Sequence, residues 1–188
     1  MIENNRIIIV DDVENDLYQL RDTFYKKGVG CRSFLYDGFT FPDTPLKGVR
    51  FAFFDINLKH ANQDADIYAT LKEAITKYIS YDNGPFVLIF WSKNTDKITG
   101  FSQFVNRIDD DFKNKMHPIL FEAIDKSEFI EKDNSLEETL DSILSKSIVK
   151  CLIGFDEEVL VAATQTLNSI IATIPHGNQW GDSDEFNK

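Results

Sequence analysis

The strongest constraint on the fold is the regular alternation of short apolar runs with longer segments of helical periodicity. The runs Ile7–Val10, Phe51–Phe54 and Phe86–Trp91 are continuously apolar and rich in β-branched or aromatic residues. Such runs are typical of strands that are buried on both faces of a parallel sheet. Because strands and helices alternate along the chain, we predict an α/β fold with helices on both faces of one sheet.

The apolar pattern predicts five strand–helix units, which end near residue 150. The predicted strands cover residues 6–11, 31–36, 50–56, 86–91 and 118–124. The predicted helices cover residues 15–27, 64–80, 95–113 and 134–149, with a loop or shortened helix at 37–48. The expected architecture is therefore a five-stranded parallel sheet, doubly wound in the (βα)5 order.

A C-terminal helix is expected after this domain. We predict a domain at 1–150, a helical extension at 151–175 and a flexible tail or linker at 176–188. Within 155–174, apolar residues repeat with heptad-like spacing at Leu160, Ala163, Leu167, Ile170 and Ile174. A short helix is marginal alone, so this stripe must be covered. We expect it to pack against its own domain, and the alternatives are a homodimer seam and a helix that leads into an effector.

Composition and charge argue against several classes of function. The 188 residues contain 20 Lys and Arg against 31 Asp and Glu, a net charge of −11, which argues against nucleic-acid binding. No basic cluster suits an anionic lipid surface, and no apolar run approaches the length of a membrane span. The polar first residues lack the apolar core of a signal peptide. Together with two isolated cysteines, Cys31 and Cys151, these features predict a cytoplasmic protein.

Three acidic residues follow strands at the points where a parallel sheet binds ligands. Asp11 and Asp12 come at the end of the first predicted strand, and Asp55 falls at the end of the third. Because the carboxyl ends of parallel strands share one edge, we expect these side chains to lie together. Clustered carboxylates repel one another unless a cation lies between them, and Mg²⁺ prefers oxygen ligands while keeping part of its water. We therefore predict a Mg²⁺ site with room for a phosphoryl group.

A hydroxyl and an amine complete the same edge. Ser92 follows the fourth predicted strand, and Lys126 follows the fifth. A carboxylate that attacks a phosphoryl group needs positive charge to offset the repulsion, which a divalent cation and a lysine supply. A neighbouring hydroxyl can donate a hydrogen bond to a phosphoryl oxygen as charge spreads in the transition state. The pattern favours phosphoryl transfer to a carboxylate.

This order of residues resembles the receiver domain of two-component response regulators, over roughly residues 5–150. The resemblance implies a flavodoxin-like fold and a phosphoacceptor signalling domain rather than an enzyme. It implies that Asp55 accepts a phosphoryl group from a histidine kinase or phosphotransfer protein, which changes contacts with a downstream protein. It also implies that Mg²⁺ is held by Asp11, Asp12, Asp55 and the backbone carbonyl of Asn57. The serine and lysine at the same edge would contact phosphoryl oxygens.

Several positions depart from the family pattern. Ser127 stands where a proline is usual, Ala123 where a tyrosine or phenylalanine is expected, and Lys93 where a small residue is typical. The segment between the serine and lysine of the site is also longer than usual. These departures allow a degenerate receiver that binds partners without being phosphorylated. Retention of all three acidic residues and the lysine disfavours that interpretation, because an unused acidic cluster costs stability.

The same residues also allow a different reaction and plainer structural roles. A phosphatase of the haloacid-dehalogenase type also forms an aspartyl phosphate, but its acidic pair lies on the strand of the nucleophile, whereas here it lies on an earlier strand than Asp55. Acidic and hydroxyl residues at strand ends can also cap helices, which is the structural interpretation of Asp12 and Ser92. Lys126 can instead form an exposed pair with its neighbour Asp125.

Overall fold

The computed structural model describes residues 6–59, 61–108, 112, 116, 118–130 and 136–173. Contacts divide the chain into two compact units, Met1–Val149 and Lys150–Lys188. The predicted tail at 176–188 lies outside the described residues, as does Ile174 at the end of the heptad-like stripe.

The first unit is built on a five-stranded, all-parallel sheet in the order β2-β1-β3-β4-β5. Its strands are β1 Ile7–Asp11, β2 Arg32–Leu35, β3 Phe51–Phe54, β4 Phe86–Ser92 and β5 Pro118–Asp125. This is a flavodoxin-like topology, so the predicted fold class is confirmed. Val10 lies opposite Phe54, Phe54 opposite Phe90, and Phe90 opposite Ala123. The carboxyl ends of four strands are therefore level along one edge of the sheet.

A helix follows each strand except β2, and several helix boundaries differ from the prediction. The α-helices are α1 Glu14–Lys26, α2 Asp64–Tyr78, α3 Ile98–Ile108, α4 Lys126–Ile130, α5 Leu136–Leu144 and α6 Ser147–Ala172, and a 3-10 turn at Thr95–Lys97 precedes α3. The sequence pattern does not predict the short helix α4, which begins directly after β5. The predicted helix at 134–149 ends at Leu144, and α6 begins eight residues earlier than the predicted stripe at 155. The Lys146 N–H donates to the Ile143 carbonyl at 3.2 Å, which closes the end of α5.

One face of the sheet carries the largest apolar core. Ile8, Phe54 and Phe90 occupy alternate positions of neighbouring strands and therefore point to the same side. They belong to one cluster of buried residues together with Leu71 of α2 and Phe101 of α3. These two helices cover this face, and burial of their apolar stripes is the main source of their stability.

The opposite face is covered by α1 and α4. The Phe24 ring of α1 packs edge-on against the Phe53 ring of β3, with centroids 5.4 Å apart. The Phe129 ring of α4 lies 5.8 Å from the ring of Trp91 in β4. Helices therefore lie on both faces, as a doubly wound sheet requires.

The second unit contains the greater part of α6. Along this helix, Phe155, Leu160, Leu167 and Ile170 are all exposed, and Leu160 retains 67% of its accessible surface. The expectation that the stripe packs against its own domain stays a prediction. Across the described residues, every helix is too short or too polar to cross a membrane.

Candidate metal centre

The register of the sheet positions the candidate site. Asp11 is the last residue of β1, and its carbonyl accepts a hydrogen bond from the Tyr36 N–H at 2.8 Å. Asp55 directly follows β3, and its N–H donates to the Val10 carbonyl at 3.0 Å. The backbone at both aspartates is thus fixed by ladder bonds. Their side chains stand at the carboxyl edge, where parallel sheets bind ligands.

Three carboxylates meet at this edge. Oxygen atoms of Asp11, Asp12 and Asp55 all lie within 4.8 Å of one another. Asp11 is fully buried, Asp55 is 8% exposed, and Asp12 is half-buried. The Oδ1 atom of Asp55 is buried and has no hydrogen-bond partner among the described residues. A buried carboxylate oxygen without a donor is costly, so a cluster of this kind can hold a metal ion.

Lys126 brings a buried ammonium group into the same cluster. Its side chain is 2% exposed, and its Nζ lies 2.6 Å from Asp11 Oδ2 and 3.5 Å from Asp55 Oδ2. A third carboxylate, that of Asp16 in the first turn of α1, lies 3.1 Å from the same Nζ. The interpretation of Lys126 as only an exposed partner of Asp125 is therefore wrong. Among the described residues, three carboxylates therefore contact this one ammonium.

Burial and charge shift the pKa values of both partners. Burial raises the pKa of Asp11 from its ordinary 3.8 to about 6, although the Lys126 ammonium opposes this rise. Burial alone would lower the pKa of Lys126, but the Asp55 and Asp11 carboxylates outweigh it and leave this pKa raised. Lys126 is therefore a permanent cation at neutral pH. The surroundings of Asp11, in contrast, penalise its ionised form.

The start of α4 holds Lys126 in place. The Asp125 Oδ1 atom accepts hydrogen bonds from the N–H and the hydroxyl of Ser127, at 2.9 and 2.6 Å. These bonds satisfy a free donor in the first turn of α4, which begins at Lys126 itself. The Gln19 side chain of α1 donates to the Phe129 carbonyl at 3.4 Å, so α1 and α4 are also joined. Ser127, which departs from the family pattern, has a structural role here.

Ser92 lies at the end of β4, and Asn57 lies in the loop that follows Asp55. Ser92 is the last residue of β4, is fully buried and pairs in register with Asp125. Its Oγ accepts the Asn94 N–H at 3.2 Å, which leaves the hydroxyl proton to be donated elsewhere. The Asn57 side chain accepts the Ala61 N–H at 3.0 Å, and this bond shapes the loop after Asp55. The predicted ligand role of the Asn57 backbone carbonyl stays a prediction.

The remaining candidate positions lie around the acidic cluster. Lys93 is exposed, whereas Lys126 is buried among the carboxylates. Val13 occupies the N-cap position of α1, so a helix cap at Asp12 does not describe where α1 begins. Sequence reasoning missed Asp16, because acidic residues in the first turn of a helix are common. The position of Asp16 could still have indicated it, because a residue in the first turn of the helix after β1 stays close to the end of that strand.

The fold and the site define a flavodoxin-like α/β domain with a candidate metal centre at the carboxyl edge of its sheet. No family model and no curated protein sequence matches the chain. One solved structure is similar, a yeast Spc42 trimeric coiled coil (amino acids 181–211) fused to another structure, with 11% sequence identity. The match covers 86% of this chain and 98% of that one, with a TM-score of 0.31. At that score it carries no argument about fold or function.

Proposed function

We propose that this chain is a receiver-type signalling domain, in which Asp55 accepts a phosphoryl group in a Mg²⁺-dependent reaction. The observation that carries the proposal is the juxtaposition of Asp55 with two further carboxylates and a buried lysine. The three carboxylates have oxygens within 4.8 Å of one another, and the Lys126 Nζ lies 3.5 Å from Asp55 Oδ2. A nucleophilic carboxylate, a metal-binding pair and a fixed cation are the groups that this transfer needs.

The donor set fits Mg²⁺. Mg²⁺ binds carboxylate and carbonyl oxygens and retains several waters, and the buried Asp55 Oδ1 offers it an oxygen that no described donor occupies. Asp11, Asp12, Asp55 and the Asn57 carbonyl would hold it. When bound, Mg²⁺ would offset the negative charge of the phosphoryl group and of the carboxylates. The clustered ligand atoms of the three aspartates are all carboxylate oxygens, which suits a hard cation.

The chain's own residues account for the remaining steps. An Asp55 oxygen attacks phosphorus and forms an O–P bond, while the P–N bond to a histidine of the donor protein breaks and leaves its electron pair on nitrogen. The Lys126 ammonium binds a phosphoryl oxygen, and the Ser92 hydroxyl donates to another. The donor is a histidine kinase or phosphotransfer protein, and the response is a change in contacts with a downstream protein. A cytoplasmic location is part of this proposal.

Phosphorylation can be tested with a small acyl phosphate and MgCl₂. Intact-mass measurement is expected to show one added phosphoryl group on the parent and none on Asp55→Asn. Asp82→Asn is the matched control, because it makes the same chemical change at an exposed residue whose carboxylate pairs with the exposed Lys47. Labelling that persists in Asp55→Asn, or that does not require Mg²⁺, contradicts the proposal.

A degenerate receiver is the second candidate. Ser127 is engaged in the hydrogen bonds that start α4, and Ala123 offers no aromatic ring for switching. These observations favour a domain whose surface near β5 and α4 differs from that of a switching receiver. Mg²⁺ binding without any phosphoryl incorporation would favour this candidate. Steady turnover of a phosphate ester would instead favour a phosphatase of the haloacid-dehalogenase type.

A further inference from the structure

Asp16 gives Lys126 a carboxylate partner that lies outside the metal-binding cluster. The Lys126 Nζ is 3.1 Å from Asp16 Oδ2, and the Asp16 side chain is 16% exposed. Among the described residues, the candidate metal ligands are Asp11, Asp12 and Asp55, each of which has a carboxylate oxygen within 4.8 Å of the other two. Asp16 is not one of them. The ammonium therefore contacts both the cluster and an acid beside it.

The Lys126 ammonium contacts two of the three carboxylates that a metal ion would use. The ammonium lies 2.6 Å from Asp11 Oδ2 and 3.5 Å from Asp55 Oδ2. Mg²⁺ requires carboxylate oxygens at about 2.0–2.1 Å. Two cations that share one oxygen at a buried site repel each other strongly. The Asp55 Oδ1 atom has no hydrogen-bond partner among the described residues, so a metal ion bound there would lie close to the ammonium on Asp55 Oδ2. Repulsion between the two cations favours movement of the ammonium away from the cluster.

We propose that Asp16 is a positioning residue that retains Lys126 when Mg²⁺ occupies the acidic cluster. The inference rests on the proposed function, since it concerns the metal and phosphoryl site. In the metal-free state the ammonium bridges Asp11, Asp16 and Asp55. With Mg²⁺ bound, it gives up Asp11 and keeps Asp16. An ammonium has three donors, so one bond to Asp16 leaves two for phosphoryl oxygens on Asp55.

A double-mutant cycle separates this role from a general effect of negative charge. Mg²⁺ affinity is measured by calorimetric titration with MgCl₂ for the parent, Asp16→Asn, Lys126→Gln and the double variant. Asp16→Asn is expected to weaken Mg²⁺ binding about tenfold when Lys126 is present, and less than about twofold when it is absent. Asp22→Asn is the matched control, because it removes the same charge from an exposed position of the same helix. It is expected to leave Mg²⁺ affinity unchanged.

An equal loss of affinity from Asp16→Asn in both backgrounds overturns the proposal, because Asp16 would then act through charge alone. A Mg²⁺-bound structure of the parent provides a second measurement that does not depend on how Lys126→Gln folds. The Lys126 Nζ is expected within hydrogen-bond distance of Asp16 and beyond it from Asp11. If Mg²⁺ binds and the ammonium stays on Asp11, this inference fails and the proposed function stands. If Mg²⁺ does not bind at Asp11 and Asp55, both fail.

Discussion

The carboxyl edge of the sheet buries charged side chains, whereas helix α6 exposes apolar ones. At the edge, Asp11, Asp55 and Lys126 are ionisable and almost fully buried. Along α6, Leu160 and Leu167 are exposed, and residues 159–173 contain no charged side chain. Soluble proteins rarely bury charges that are not fully paired, and they rarely leave contiguous apolar surface uncovered.

The two regions are incomplete in different ways. Among the described residues, the edge has more carboxylates than cations, and we expect a small cation to complete it. Helix α6 exposes apolar side chains, and we expect an apolar partner to cover them. Its hydroxyls do not oppose this, because Thr164, Thr166 and Ser169 each donate to a carbonyl of their own helix, at 2.8–2.9 Å. Their burial would therefore leave no hydroxyl proton unpaired.

The largest expected effect follows the removal of the buried cation. Lys126→Met leaves Asp11 and Asp55 without their ammonium partner, and loss of one partner of a buried pair costs about 3–5 kcal/mol of unfolding free energy. Urea unfolding in metal-free buffer measures this, and MgCl₂ is expected to restore part of the loss. Lys27→Met is the matched control, because Lys27 pairs with the exposed Asp141 and its loss should cost at most about 1 kcal/mol. Equal losses in the two variants would contradict the expectation that the buried contacts of Lys126 stabilise the fold more than an exposed ion pair does.

The exposed heptad-like stripe of α6 is expected to join two copies of the chain. Leu160→Glu combined with Leu167→Glu places charge on the exposed stripe and removes two leucines worth about 1.5–3 kcal/mol each when buried. Sedimentation should show a dimer for the parent and a dimer at least about a hundredfold weaker for the variant. The variant is expected to bind Mg²⁺ as the parent does. A parent that stays monomeric at high concentration excludes the homodimer.

Mg²⁺ affinity is expected to depend on the ionisation of Asp11. Its pKa is raised by burial to about 6 in the fold, against an ordinary 3.8. In metal-free buffer the folded state therefore holds more protons than the unfolded state between pH about 4 and 6, and stability falls as pH rises through that window. Mg²⁺ needs the carboxylate, so its affinity rises over the same window and levels off above pH about 6.

Calorimetric titrations with MgCl₂ at several pH values measure the pH dependence of Mg²⁺ affinity. Urea unfolding of Asp11→Asn at the same pH values measures the pH dependence of stability. In Asp11→Asn, the fall of the unfolding free energy between pH about 4 and 6 should be absent. Equal Mg²⁺ affinity at pH about 5 and about 7 would contradict the assignment of Asp11 as a ligand.

The smallest expected effect concerns the start of α4. Ser127→Ala removes the hydroxyl bond to Asp125 but keeps the bond from the backbone N–H, so a loss of about 1 kcal/mol is expected. Ser169→Ala on α6 is the control, because its hydroxyl bonds to its own helix and alanine has the higher helix propensity. Thermal unfolding followed by circular dichroism compares the two. An equal loss of unfolding free energy in Ser169→Ala would contradict the expectation that the Ser127–Asp125 hydroxyl bond stabilises the fold.

The sheet was predictable because its central strands are buried on both faces. Ile7–Val10, Phe51–Phe54 and the apolar run of β4 therefore appear as continuous apolar segments, which periodicity identifies without tertiary information. β2 lies at the edge, and the structure has four residues there where six were predicted. An edge strand buries less of its surface, so its ends are less marked by apolar residues.

Helix boundaries and the neighbours of the site were less predictable. Helix α5 ends at Leu144 and α6 begins at Ser147, and the two residues between them include no glycine or proline that would mark the break. Helix α4 has five residues, which is too few for a periodic pattern. The positions of Asp11 and Lys126 followed from strand ends. Their contact with Asp16 depends on how α1 packs, which no local pattern encodes.

Trp91 provides the chain with an internal optical probe. Its indole is fully buried, its Nε1 has no hydrogen-bond partner among the described residues, and its ring lies against Phe129. It is adjacent in sequence to Ser92, at the edge that carries the carboxylates. Because the chain has one other tryptophan, Trp180, a Trp180→Phe variant would emit from this position alone. Any displacement of α4 on loading the site would then shift the emission, without a dye and without an altered aspartate.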